Sequence, residues 1–366
     1  MAKDNLFSNL TYKFFREKYA RRVNKSLDLG NPRRFLIIRQ HNQLGDLLAT
    51  VPLFRAIKEK YPGCFVAAVF SPVNYQGLVK NKYLDEIFIF DKKKLFVGSH
   101  YYDLKKFLKK NYDVVIVPAV VSVSFTSNLL GGMSDAKIKI GPKSLNGSTN
   151  KSSYFFDRRV DLDWRQHPDM NVYERILDIV RPFGITTNNF RAEIYFDEND
   201  IESSKNFVNS LNHQRKGVLV GFHVGAGKKQ NRWSLSKFIT LAEELSKKYD
   251  SRFYLTGSKT DIEEIMYVMK NSEMDFGLFI NKKISEVAAL ISLTDLFVTN
   301  DTGIMHVAGA TNASQISLFG ATNPLIWAPF GKNKYFIRKS ILIDDITVQD
   351  VLTLAETILD KAANGK

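Results

Sequence analysis

The residues best suited to do chemistry stand together late in the chain. Asp301, Thr302, Gly303, Ile304, Met305 and His306 lie within the run Thr299 to Ala310. An acid, a hydroxyl, a glycine and an imidazole so close together suit a loop that grips a polar ligand. Before them, residues 294–299 are apolar and β-branched enough to form a buried strand, and Ile304 to Ala310 reads as a helix. Asp301 or Thr302 can cap that helix, and Gly303 lets the backbone approach a ligand closely. A strand, a tight turn and a helix N-terminus present unpaired N–H groups that favour a phosphate. Gln315 to Phe319, followed by Gly320, Ala321 and Thr322, repeats the pattern and brings a second loop to the same sheet edge, as in a nucleotide crevice. For the first loop alone a simple helix cap is the better account; the partner loop favours binding.

Two other loops carry reactive groups. Arg34 to Arg39 is a short apolar run bounded by charge, a first strand that leads through Gln40, His41, Asn42, Gln43, Leu44 and Gly45 to Asp46. A helix from Leu47 through Lys60 and a strand over Val66 to Phe70 complete a βαβ unit. Asp46 sits where the loop becomes a helix. It can act as a carboxylate that takes a proton from a hydroxyl, or serve only as a first-turn acid that favours the helix dipole. In the second half, Gly217 to Val224 reads as a strand, followed by Gly225, Ala226, Gly227, Lys228, Lys229, Gln230, Asn231, Arg232 and Trp233. Small residues and then cations suit a loop that wraps a phosphate.

The run from Asn300 to His306, with Phe319-Gly320-Ala321-Thr322-Asn323-Pro324, resembles the donor signature of glycosyltransferase family 9, the ADP-heptose:lipopolysaccharide heptosyltransferases. Leu44-Gly45-Asp46 with Pro52 resembles the family's N-terminal motif, whose Asp is the proposed base. Gly225-Ala226 and the cations up to Trp233 resemble its second donor loop. His167 stands where members commonly have a His. The resemblance spans roughly residues 34–335 and departs twice: Asn231 stands where the family often has a phosphate-contacting Lys, and Ser234 replaces a Pro. It implies a GT-B fold and an inverting, metal-independent transfer from a nucleotide-diphosphate sugar, ADP-heptose, to a lipopolysaccharide-core acceptor. Asp46 would be the base. Gly225, Ala226, Lys228, Lys229, Asn231 and Arg232, with residues 301–306, would hold the donor. No cofactor or metal is expected.

These loops need a scaffold, and 366 residues with 44% hydrophobic content allow two domains with a core each. Strands alternating with helices in both halves imply an α/β fold of two facing Rossmann-like domains with parallel sheets. Residues 34–190 would form the acceptor domain, 191–345 the donor domain and 346–366 a C-terminal helix. Ile87 to Phe90 and Val114 to Val117 are further strands; 141–153 reads as a loop, and Asn171 to Val180 as an amphipathic helix. Asp161 and Asp163 have metal-binding spacing but read as surface. Asp261, Glu263 or Glu264 could accept a ribose hydroxyl, or simply begin a helix. The lysines at 92–94, 105–106 and 109–110 are solvated faces or a basic wall for a phosphorylated acceptor.

One cysteine excludes an internal disulfide and fits a reducing compartment, and no run is long enough to span a bilayer, so a cytoplasmic protein is expected. The net charge of +14 is uneven: residues 1–34 hold nine Lys or Arg against three acids. Interleaved with Phe7, Tyr12, Phe14, Phe15 and Tyr19, they suggest a helical segment over 1–33 that would either lie on the cytoplasmic face of an inner membrane or pack on the protein's own body. No nucleic-acid motif accompanies the charge. The first strand lacks a Gly-x-Gly-x-x-Gly, which disfavours a dehydrogenase; a non-catalytic glycolipid binder is disfavoured by the intact Leu44-Gly45-Asp46.

Overall fold

The computed structural model describes residues 6–40, 42–73, 75–94, 97–211 and 217–364, with side chains from 13 to 362 among them. Residues 1–5 of the basic segment, the side chains of Phe7 and Tyr12, and His41 lie outside that description. Two compact units emerge. One comprises the chain up to Tyr75 with Asn81–Phe190, the other Gln76–Lys80 with the chain from Arg191 onward.

In the first unit the strands are β1 (Arg34–Arg39), β2 (Phe65–Phe70), β3 (Glu86–Ile89), β4 (Val114–Ile116), β5 (Ile138–Leu145), β6 (Ser148–Thr149) and β7 (Arg158–Leu162). The order is β3-β2-β1-β4-β5, all parallel, with β6 antiparallel and β7 parallel to β5. Strands such as Phe-Val-Ala-Ala-Val-Phe are apolar throughout because both faces of the sheet are covered. Residues 141–153 are therefore not a loop. β5 runs through them and turns at Asn146 and Gly147, whose φ values of 48° and 80° form the two-residue hairpin that Asn-Gly favours.

The helix expected over 47–60 is two helices, Leu44–Leu48 and Val51–Lys60. Pro52, in the first turn of the second, has no N–H to give to the carbonyl of Leu48, so the ladder stops and restarts. The helix expected over 171–180 is regular only at Val172–Arg175. Beyond it the chain winds in turns bonded to the third residue back, while still burying Ile176, Leu177, Ile179 and Val180. The N-terminal helix Leu6–Tyr19 packs on its own unit: Phe15 meets Phe125 at 6.1 Å and Tyr19 meets Phe155 at 6.4 Å, leaving Phe14 exposed.

The second unit has β8 (Leu219–His223), β9 (Arg252–Gly257), β10 (Phe276–Ile280), β11 (Leu296–Asn300), β12 (Ser314–Leu318) and β13 (Lys334–Ile337), parallel in the order β10-β9-β8-β11-β12-β13. β10 and β13 have no counterpart in the sequence reading; their mixed polarity hides them as edges. Helix Val348–Asn364 closes the core of this unit with Val351, Ala355, Ile358 and Leu359. Each sheet reverses its order once, between β1 and β4 in the first unit and between β8 and β11 in the second. In open α/β sheets ligands bind at the carboxyl ends beside such a reversal.

Candidate active site

Asp46 follows β1 at the first reversal. It lies in the first turn of Leu44–Leu48 and is 3% exposed. A buried carboxylate needs a partner, and the last residue of β1 supplies one. The Arg39 guanidinium, also buried, stands 3.8 Å from Asp46 Oδ1 and donates to the Asp46 carbonyl at 3.2 Å. Burial pulls Arg39 down to about 10 while Asp46 opposes the shift. Thr50 donates its hydroxyl to the same carbonyl at 3.2 Å, so the proline break also fixes the turn that carries Asp46. Buried Tyr173 is held protonated, first by burial and then by the charge of Asp46. Arg39 went unrecognised in the sequence because a charge ending an apolar run looks like a strand boundary. His167 is exposed on a turn.

At the second reversal, the loop after β8 and the turn after β11 are tied together. Asn300, fully buried at the end of β11, donates to the carbonyls of Val224 and Gly225 at 2.9 and 3.3 Å and accepts from the Trp233 N–H at 3.0 Å. Asn231, 7% exposed, donates to Asp301 Oδ2 at 2.8 Å and to its carbonyl at 3.3 Å. Burial raises Asp301, while a hydrogen bond with Thr322 of the third loop and the charge of Lys228 lower it. Three loops thus converge on one carboxylate. Asn231 thus anchors Asp301, and the cations of this loop left facing solvent are Lys228 and Lys229.

The other candidates divide. Gly225 must be a glycine: a Cβ there would lie 2.1 Å from Asp261 Oδ1. Arg232 is occupied, donating to the Ala226 carbonyl at 2.8 Å and pairing with Glu264. Glu264 keeps its second oxygen, Oε2, buried without a partner. Asp261 completes a capping box at the short turn 259–261 by accepting from the Ser258 N–H and hydroxyl, both at 2.8 Å. Thr302 begins the helix Gly303–Gly309 without a side-chain bond to it, so neither expected cap forms. Thr302, Gly303 and Ile304 are half-buried, whereas Met305 and His306 are buried, the latter edge-on to Trp327 at 6.3 Å. Asp161 and Asp163 are held by Lys143 and Arg165. Among the described residues, no cluster of three or more His, Cys, Asp or Glu could hold a metal. No described helix is long and apolar enough to cross a membrane.

The chain as a whole is similar to known proteins. The model of glycosyltransferase family 9 (heptosyltransferase) matches residues 101–349. Lipopolysaccharide heptosyltransferase 3 of Escherichia coli is 22% identical over 351 residues, covering 88% of this chain and 98% of its own. Among solved structures, a family 9 glycosyl transferase from Veillonella parvula superposes with a TM-score of 0.78 at 19% identity, over 92% of this chain and 99% of the other. The E. coli ADP-heptose lipopolysaccharide heptosyltransferase II gives 0.74 at 20% identity, over 90% and 99%. These likenesses show the GT-B architecture of parallel-sheet α/β units.

Proposed function

The chain belongs to glycosyltransferase family 9 and is a glycosyltransferase, and from that premise we propose that it transfers a heptose from ADP-heptose to a lipopolysaccharide-core acceptor. The observation that carries the donor half is the convergence of the loops after β8, β11 and β12 on Asp301, with Lys228 beside it. Lys228, Lys229 and the backbone of Gly225 to Gly227 bind the diphosphate and neutralise the charge that grows on it as it leaves.

In this reading Asp46 takes the proton of the acceptor hydroxyl as that oxygen attacks the anomeric carbon opposite the diphosphate. The new C–O bond forms as the old one breaks, so the configuration inverts. Arg39 keeps the base aimed by pairing with it inside the protein. The leaving group is met by lysines, and the reaction proceeds without a metal. The acceptor's lipid places the enzyme at the cytoplasmic surface of the inner membrane, reached through the basic N-terminal segment.

The position of Asn231 favours a second reading, a family 9 transferase with another nucleotide-sugar donor. Thermal melting with a nucleotide panel separates the two, since a ligand at ~100 times its dissociation constant adds about 2.7 kcal/mol. Stabilisation by ADP and ADP-heptose, with none by UDP or GDP species, is expected. Stabilisation by UDP or GDP species alone would keep the fold and discard the heptose donor. Asp46→Asn is expected to abolish turnover and leave nucleotide stabilisation unchanged; turnover within a few-fold of wild type would remove Asp46 from the base role.

A further inference from the structure

In the first unit, the ends of three helices enclose a cavity of about 550 Å³. Lys18 and Arg21 reach it from the end of Leu6–Tyr19, Lys105 and Lys109 from the end of Gly98–Leu108, and Lys139 from the start of β5. Gly132 to Asp135, which follow the core of helix Phe125–Met133, complete the wall. This wall lies at the amino ends of β4 and β5, whereas Asp46 follows the carboxyl end of β1 in the same parallel sheet. The cavity therefore sits at the sheet edge opposite the catalytic one.

Five cations line it against one acid, Asp135. Backbone carbonyls explain part of this, since they accept from cationic donors. Lys139, 4% exposed, donates to the carbonyls of Gly132 and Ser134 at 2.6 and 2.7 Å, and Arg21 donates to that of Ala136 at 2.9 Å. They do not explain Lys18, Lys105 and Lys109, which have no ion pair with an acid among the described residues. Burial, and after it the charge of Arg21, pulls Lys139 down to about 8. A second cavity of about 700 Å³ shares Arg21 and continues the positive surface through Arg22, Lys25 and Lys137. Tyr101, which lines the first cavity, is 42% exposed, and Phe14, one turn before Lys18, is 58% exposed.

We propose that this cavity is a second, non-catalytic site that binds a phosphate ester. Several ammonium groups around one opening suit a compact dianion, and the volume exceeds that of phosphate alone, leaving room for the group that carries it. The phosphate comes either from an anionic lipid headgroup or from a soluble compound. The proposal rests on the membrane-surface reading only for the first of these sources.

The test uses the full chain, vesicles of phosphatidylcholine with or without phosphatidic acid, and inorganic phosphate. Lys105→Glu with Lys109→Glu alters the cavity at exposed positions; Lys92→Glu with Lys93→Glu makes the same charge change on exposed residues outside it. If the source is lipid, the cavity variant loses about tenfold in partitioning onto phosphatidic-acid vesicles, while the control stays within about twofold of wild type. If the source is soluble, inorganic phosphate raises the melting temperature of wild type and control but not of the cavity variant, and no protein binds the vesicles. Equal losses in both variants, or no response to either probe, would overturn the site. Nucleotide stabilisation is measured alongside and is expected to be unchanged in all variants, so a failure of the donor reading shows separately.

Discussion

Asn231 shows how one side chain can depart from a family pattern and keep a place in the site. Its amide closes on a carboxylate that burial has already made costly to ionise. Removing it leaves Asp301 with Thr322 and the more distant charge of Lys228, and an under-satisfied buried acceptor costs about 1–3 kcal/mol. Asn231→Ala is therefore expected to weaken nucleotide binding about tenfold or more, and Asn231→Asp to weaken it further by placing two carboxylates together. Isothermal titration with the nucleotide chosen by the melting panel reads both. Unchanged affinity in the alanine variant would mean that the Asp301 turn holds its shape unaided. Asp301 was marked in the sequence by its own short run and partner loop, whereas Asp46, ambiguous by position alone, was singled out through the resemblance of Leu44-Gly45-Asp46 to the family motif. Arg39 and the anchoring role of Asn231 were not visible, because each depends on a partner across a loop or turn.

Elements were legible where pattern and punctuation agreed. β1, β2, β8, β11 and β12 are apolar runs ended by polar loops, and their order along the chain was enough to place Asp46 and Asp301 after strands. The Asn146-Gly147 hairpin was missed because the surrounding Gly, Ser and Lys residues suggest a loop, although that dipeptide is itself a turn signal between strands. Helix breaks at Pro52 and after Arg175 were hidden because both segments keep their buried faces through the irregularity. The loop after β8 makes a test of element packing possible. Gly225→Ala would drive a Cβ into the Asp261 carboxylate, which accepts from the Ser258 N–H, whereas a Cβ at Gly227 meets nothing within 4 Å. The first substitution is expected to cost about 1–3 kcal/mol and the second less than about 0.5 kcal/mol, as read by the shift in denaturant midpoint at constant slope. Equal effects would mean the loop yields to accommodate the methyl group.

At the scale of the whole chain, each unit turns a lysine ammonium onto backbone carbonyls instead of a carboxylate, Lys139 buried and Lys334 half-buried. Lys139 is pulled down to about 8, chiefly by burial, in the first unit, and Lys334, donating to the Ala308 carbonyl at 2.9 Å, to about 7 in the second. An unfolded lysine titrates near 10.4, so between these values the unfolded chain holds protons that the folded chain has released. Stability must then rise with pH across that window. The buried tyrosines set the upper limit. Tyr112, Tyr173 and Tyr254 are raised above their ordinary value by burial, so the folded chain keeps their protons longer and stability falls once the unfolded tyrosines ionise. The melting temperature is therefore expected to increase from pH 7 to a maximum at about pH 9–10 and then to decline. Because each unit has its own core, calorimetry can assign the rise. Lys139→Met should flatten it in the transition of the first unit, and Lys334→Met in that of the second. A melting temperature independent of pH between 7 and 9 would mean that both ammonium groups remain charged in the folded protein, with the carbonyls supplying more compensation than burial removes.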